Sequence, residues 1–365
     1  MTVPPRTPRA STRPARIADV ARLAGVSPAT VSRTLANPDI VTTETRQRVI
    51  EAVRRTGYVP NIAGRNLRAQ RSMMVLVVVP DIANPFFAEV LRGIDDTLSA
   101  AGYGLIIGNL NNATAKEARY VDLVSAGQVD GVLLLNGHIP EGNGRNLRDA
   151  NVPMVAACER IPGADFPQVE IRNREAARRV IAHLVTLGHR RFGYISGPSN
   201  NILERERAAG FREGLADAGL PLTSASFFDG DFTFRTGAEA ARVVLAMDVR
   251  PTAIFAANDE MAIGFLKTVH AAGLRIPADL SIVGFDAIEY ADYCEPTLTT
   301  VHQPRHTIGA TAAAQLVELM SGRARREPRV TRLDASLLLR QSTGPAPAPP
   351  QRSNRTRRHR RSPPS

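Results

Sequence analysis

From residue 74 onward the chain repeats one pattern: a short apolar run, a turn, then roughly ten to twenty residues with helical spacing. The apolar runs are MVLVVVPD (74–81), YGLIIGNL (103–110), DGVLLLN (130–136), PMVAACE (153–159), QVEIRN (168–173), RFGYISG (191–197), SFFDGD (226–231), TAIFAAND (252–259) and LSIVGFD (280–286). Most are continuous in Val, Ile, Leu, Ala and Phe rather than alternating, as expected of strands covered on both faces. Strands separated by helices predict a parallel α/β sheet, and about 270 residues of this texture predict two doubly wound lobes. The longest uninterrupted apolar run, Met73 to Val79, is far short of the ~20 residues needed to cross a bilayer.

The first seventy residues read differently. Residues 1–15 are rich in Pro, Arg, Ser and Thr without periodicity and are expected to be a disordered basic arm. Residues 16–59 predict three short helices. The first places Ile17, Val20, Ala21 and Ala24 on one face and stops at Gly25. Ser27 is a good N-cap for the second, with Pro28 at the first helical position. Thr43 is expected to cap the third, with Val49, Ile50 and Val53 as its apolar face before Gly57. Residues 60–71 (PNIAGRNLRAQR) form a linker, and the Pro- and Arg-rich 344–365 a second disordered basic tail.

Charge follows the same partition. Of the net +11, residues 1–71 carry +9 and the tail +6, leaving the body 72–343 at −4. Basic ends around a mildly acidic body fit a nucleic-acid binder with a separate ligand or enzyme domain. An Arg-rich genome with solvated tails gives the same balance, since only Lys116 and Lys267 stand among 46 basic residues.

The segment IADVARLAGVSPATVSRTLANP decides between these. Two helices joined by a tight Gly-containing turn let the second enter the major groove N-terminus first. Its leading face offers Ser27, Thr30, Ser32 and Arg33, three hydroxyls and a guanidinium able to bond guanine bidentately. VARLAGVSPATVSR followed by TRQRVIEAVRRTGYVPN resembles the three-helix headpiece of the lactose-repressor (LacI-type) family of bacterial transcription regulators. The resemblance runs from residue 16 to about 343, through PDIANPFFAEVLRGI, LGHRRFGYISGP, RERAAGFREGL, IFAANDEMAIG, LRIPADLSIVGFD and PTLTTVHQP.

The resemblance implies a helix-turn-helix headpiece (16–59), a hinge (60–71) and a two-lobe effector and dimerisation domain (72–343) like the periplasmic sugar-binding proteins. Its lobes would be about 72–172 plus 304–332, and 174–301 plus 333–342. It implies a homodimer on pseudo-palindromic operator DNA, with Asn61 in the hinge and Leu67 as the apolar wedge at the central step. In the cleft it implies Phe87, Arg207, Phe232, Asn258 and Asp286 as effector residues, with a carbohydrate as the expected ligand. Asp286 ends a strand, where open α/β sheets hold ligands, and Arg207 could fork onto a hydroxyl pair. Core packing for the two Phe, and a structural ion pair for Asp286 and Arg207, are the plainer alternatives.

Three positions depart from the family pattern. Arg172-Asn173 stands where Asp-Asn is common, putting a positive group near the expected cleft. Gly64 replaces a second Ala in the hinge, and Ala36 replaces an Asn late in the recognition helix.

Enzyme readings find little support. There is no G-x-x-x-x-G-K-[ST], no strand-following G-x-G-x-x-G, no H-E-x-x-H and no G-x-S-x-G. His183 and His189 are six apart, not at metal-pair spacing, and Cys158 and Cys294 form no ligand cluster. The expectation is a cytoplasmic, nucleoid-associated regulator without catalytic residues, metal or cofactor, and without a membrane partner. A stand-alone sugar-binding receptor is the alternative, against which the headpiece and the lack of a secretory leader both count.

Overall fold

A computed structural model describes residues 15–59, 71–111, 113–222, 227–324 and 327–348. The chain divides into two compact units, Met1–Ser72 and Met73–Ser365.

The first unit is a three-helix domain of α1 (Ile17–Ala24), α2 (Pro28–Ala36) and α3 (Thr43–Thr56). Gly25, at φ +63°, ends α1 in the left-handed region that a side chain resists. The Ser27 hydroxyl accepts from the Thr30 amide at 3.1 Å and caps α2. The third cap falls one residue earlier than expected: Thr42 accepts from Thr45, and Thr43 is already helical. The core is thin, built on Val20, Ala21, Ala24, Val31, Val49 and Ala52. Ile50, expected inside, is exposed, because the inward stripe of α3 runs 49, 52, 53 and leaves position 50 to one side.

Arg48 ties α3 to the turn. Its guanidinium donates to the Ala24 and Gly25 carbonyls, at 3.1 Å from Nε and 3.2 Å from Nη2. These are the orphaned carbonyls at the end of α1, so one side chain fixes the angle at which α2 leaves the turn.

The second unit holds two six-stranded sheets. In the first the order is β13 (Val330–Leu333), β7 (Gln168–Ile171), β6 (Met154–Ala157), β3 (Gly131–Leu134), β1 (Met74–Val79), β2 (Gly104–Asn109), all parallel. In the second it is β14 (Ser336–Leu338), β12 (Thr299–His302), β11 (Ser281–Asp286), β10 (Ala253–Ala256), β8 (Phe192–Ile195), β9 (Phe227–Phe228), parallel except for β14. A two-stranded hairpin, β4 (Glu141–Gly142) and β5 (Arg145–Asn146), lies apart. The chain crosses between sheets after β7, after β12 and between β13 and β14. The nine expected strands are present but shorter, SFFDGD contributing only β9. The hairpin and β12 to β14 were not anticipated.

The connecting helices are α4 (Phe86–Ala100), α5 (Glu117–Ser125), α6 (Asn173–Thr186), α7 (Ile202–Asp217), α8 (Phe234–Ala246), α9 (Asp259–Ala271), the one-turn α10 (Tyr290–Tyr293) and α11 (Arg305–Met320). α11 follows a second-sheet strand yet packs on α4 of the first lobe, with His306 Nε2 3.1 Å from Asp96. The crossing is close enough that a Cβ on Gly93 would lie 2.1 Å from the His306 carbonyl oxygen, and one on Gly309 2.1 Å from that of Val90.

Two further expectations change. The tail does not start at 344: the buried His189 lies 3.1 Å through Nε2 from the Gly344 carbonyl, and the Ala346 amide donates to Leu187 at 2.8 Å. These bonds tie the chain down as far as Ala346, and 349–365 lie outside the described residues, as do 1–14 and the linker residues 60–70 with Asn61, Gly64 and Leu67. Arg172 does not enter the cleft; its half-exposed guanidinium sits 3.7 Å from Asp334 at the last crossover.

Candidate functional site

In the first unit, α2 turns Val31, Thr34 and Leu35 inward and leaves Ser32 and Arg33 exposed on the opposite face. Thr30 is half-buried, and its hydroxyl lies 2.9 Å from that of Ser27. These two side chains therefore serve the cap as well as the surface, while Ser32 and Arg33 point outward without such ties. The first turn of α2 carries no acidic residue, so its positive end is unmasked.

In the second unit a cavity of about 910 Å³ opens between the carboxyl ends of the two sheets. Asp81 follows β1, Asn136 follows β3, Glu159 follows β6, Phe232 follows β9, Asn258 follows β10 and Asp286 ends β11. All five cleft residues expected from the sequence, Phe87, Arg207, Phe232, Asn258 and Asp286, line it.

Their side chains are not equally free. Arg207 is buried and engaged on every side. It donates to Asn173 Oδ1 at 3.0 Å and to the Ala257 carbonyl, lies 3.5 Å from Asp286, and stacks 3.8 Å over the Phe285 ring. The ion pair and the cavity position hold together. Asp286 also accepts from Gln303 Nε2 at 2.6 Å, yet burial lifts its carboxyl to about 6 against the pull of Arg207.

Asn258 is spent on structure. Its Oδ1 caps α9 through the Met261 amide and its Nδ2 donates to the Phe232 carbonyl at 2.8 Å. That bond helps hold Phe232 at φ +69°, with its ring over Gly197, where even a Cβ would lie 2.1 Å from the ring edge. Asn258 is thus a positioning residue for Phe232. Phe87 is buried edge-on against Phe86, 5.2 Å between centroids, and packs and lines the cavity at once.

The sequence reading missed several cavity residues. Glu117, almost fully buried, accepts from His138 Nε2 at 2.8 Å and from the Glu141 amide. Glu159 and Glu260 also face the cavity, their carboxyls raised to about 6 and about 7, chiefly by burial. The strand-end position that supports Asp286 is shared by Asp81, Asn136 and Glu159. Nothing local marks Glu260 or His138.

The comparisons agree with this geometry. Residues 16–61 match the family model described as bacterial regulatory proteins, lacI family, and residues 181–343 match the periplasmic binding protein-like domain. The HTH-type transcriptional repressor CytR of Escherichia coli (strain K12) is 41% identical over 308 residues, 84% of this chain and 90% of that protein. This chain belongs to the LacI family. Catabolite control protein A of Priestia megaterium is 36% identical over 306 residues, 84% of this chain and 92% of its own. Among solved LacI-family structures, the lac repressor dimer bound to operator and the anti-inducer ONPF matches with a TM-score of 0.80 at 26% identity, covering 91% of this chain and all of that one. The transcriptional regulator CelR–cellobiose complex matches at 0.69 and 33%, covering 90% and 100%. The headpiece and the two-lobe α/β domain with parallel sheets are therefore the LacI-type architecture. Among the described residues no helix is long and apolar enough to cross a membrane.

Proposed function

We propose that this LacI-family chain is a transcriptional repressor that binds pseudo-palindromic operator DNA as a homodimer and is released or recruited by a small-molecule effector, a carbohydrate, held in the cavity. The reading is carried by one combination: a helix-turn-helix unit whose second helix exposes Ser32 and Arg33, on the same chain as a 910 Å³ cavity at the carboxyl ends of two parallel sheets. In this reading residues 16–59 are the DNA-binding headpiece, 60–71 the hinge with Asn61 and Leu67 at the minor groove, and the body from 72 two effector lobes. Ser27, Thr30, Ser32 and Arg33 meet the major groove. Phe87, Arg207, Phe232 and Asp286 surround the effector, with Asn258 holding Phe232. The protein works in the cytoplasm, where its DNA is, and carries out no chemical step.

Control requires the effector to bind two states of the dimer with different affinity, and the coupling is reciprocal: DNA changes effector affinity by the same factor. A mobility-shift titration on DNA upstream of the gene, with and without a carbohydrate panel, tests this. Retardation of that fragment over random duplex, altered by a sugar, is expected. Retardation that no small molecule alters would remove the effector half of the proposal.

A further inference from the structure

The cavity wall is electrostatically one-sided. Asp81, Glu117, Glu159, Asp231, Glu260 and Asp286 line it, against two arginines and one histidine. The opposing charge is largely committed. Arg207 is consumed by Asn173, Ala257, Phe285 and Asp286, and His138 is taken by Glu117. Arg205 is exposed at the rim. Among the described residues the Glu260 carboxyl has no hydrogen-bond or ion-pair partner, and burial first, then the charges of Asp286, Asp81 and Asp231, raise it.

A second, independent observation points the same way. Asn136 is 8% exposed and lines the cavity; its Nδ2 lies 3.3 Å from the His138 ring, and among the described residues its buried Oδ1 has no hydrogen-bond partner. A buried acceptor without a donor is unfavourable until a donor arrives. The wall therefore asks for N–H and O–H donors and for positive charge. Among the described residues no group of three or more acidic, His or Cys side chains converges as a metal-ligand set.

We propose that the effector of this protein bears a basic nitrogen, a protonated amine on a polyhydroxylated scaffold such as an amino sugar, and that the cavity rejects phosphorylated ligands. The inference rests on the reading of this cavity as the effector site. The ammonium lies at the Glu260–Asp81 end, and the hydroxyls meet Asn136 and Glu159. Glu117, Asp231 and Asp286 are matched by His138, Arg235 and Arg207, so a phosphate placed there would face the unmatched Asp81, Glu159 and Glu260 with only the rim guanidinium of Arg205 uncommitted, and a buried charge without a partner is strongly disfavoured.

The test uses the full chain and nine probes: D-glucose, D-galactose and D-mannose, each as the neutral sugar, the 2-amino sugar and the 6-phosphate, in thermal-shift and calorimetric titrations at pH 7.5. The expected order within at least one triplet is amine over neutral sugar over phosphate, with the amine ahead by ~10-fold or more, about 1.4 kcal/mol. Glu260→Gln should bring the amine's affinity down to that of the neutral sugar; Asp81→Asn serves if the first variant does not melt cooperatively. A phosphate outranking its amine overturns the charge inference and leaves the effector site standing. Silence of all nine, with upstream DNA still retarded, overturns the inference together with the carbohydrate assignment. Loss of DNA retardation by the wild-type chain overturns the underlying reading itself.

Discussion

Asp286→Asn separates charge from shape at the centre of the cavity. The amide oxygen can still accept from Gln303 Nε2, and Arg207 keeps Asn173, the Ala257 carbonyl and the Phe285 ring. Burial lifts the Asp286 carboxyl from 3.8 to about 6 despite Arg207 and Gln303, which both pull it down. A folded-state pKa above the unfolded value means the fold favours the protonated form. That stability is fully present below about pH 4 and is lost as pH rises through about 6. At about 1.4 kcal/mol per pH unit, the displacement corresponds to at most about 3 kcal/mol. Asn imitates the protonated acid and does not titrate. The variant should match the wild type near pH 3.5 and exceed it by about 1–3 kcal/mol at pH 8. The assay is urea unfolding of the full chain at fixed concentration, followed by far-ultraviolet circular dichroism because the protein has no Trp. A variant ~3–5 kcal/mol less stable than wild type at pH 8 would mean that the ion pair outweighs its desolvation, and would refute the reasoning.

Arg33→Ala should cost ~1–3 kcal/mol on operator DNA and relax preference at one base pair, read by anisotropy on single-base variants; an equal loss on random DNA would make Arg33 a phosphate contact. Truncation after Thr343 should cost ~1–3 kcal/mol, because His189 loses the Gly344 carbonyl, whereas truncation after Ala348 should leave the melt unchanged. Removing 349–365, which hold six Arg and no acid, should also flatten the log–log salt dependence on random duplex, by ~0.9 for each phosphate that the tail neutralises. Gly309→Ala should destabilise by ~1–3 kcal/mol, since its Cβ would meet the Val90 carbonyl at 2.1 Å; an unchanged melting temperature would show that α11 can slide on α4.

Local features were legible in the sequence. The Ser27–Pro28 start of α2 and the Gly25 stop of α1 depend on neighbours within a few residues. The inner strands show as continuous apolar runs because both of their faces are covered. Edge strands did not show: β13 reads VTRL and β14 only SLL, and each is a strand through a partner far away in sequence, β7 and β12. The same limit applies to the tail. Pro-rich composition predicts disorder from 344, but His189, 155 residues earlier, needs the Gly344 carbonyl. The cavity divides likewise. Asp286 was legible through the family resemblance, and its place at a strand end, where open α/β sheets hold ligands, agrees with it. Glu260, in the first turn of a helix, becomes a cavity residue only through the fold, which sets that turn among strand ends far away in sequence. Arg172 stands near the expected cleft by the resemblance, yet it pairs with Asp334 across a crossover that no local pattern announces.

The central claim is that the headpiece reads sequence. Its most direct test is the ratio of dissociation constants for the upstream fragment and for a scrambled duplex of equal length, measured by anisotropy with the full chain at ~150 mM salt. A ratio of ~10³ or more, with two chains per duplex, is the expected result. Equal affinity for the two duplexes, falling together as salt rises, would leave only counterion release by the basic ends and would contradict the account.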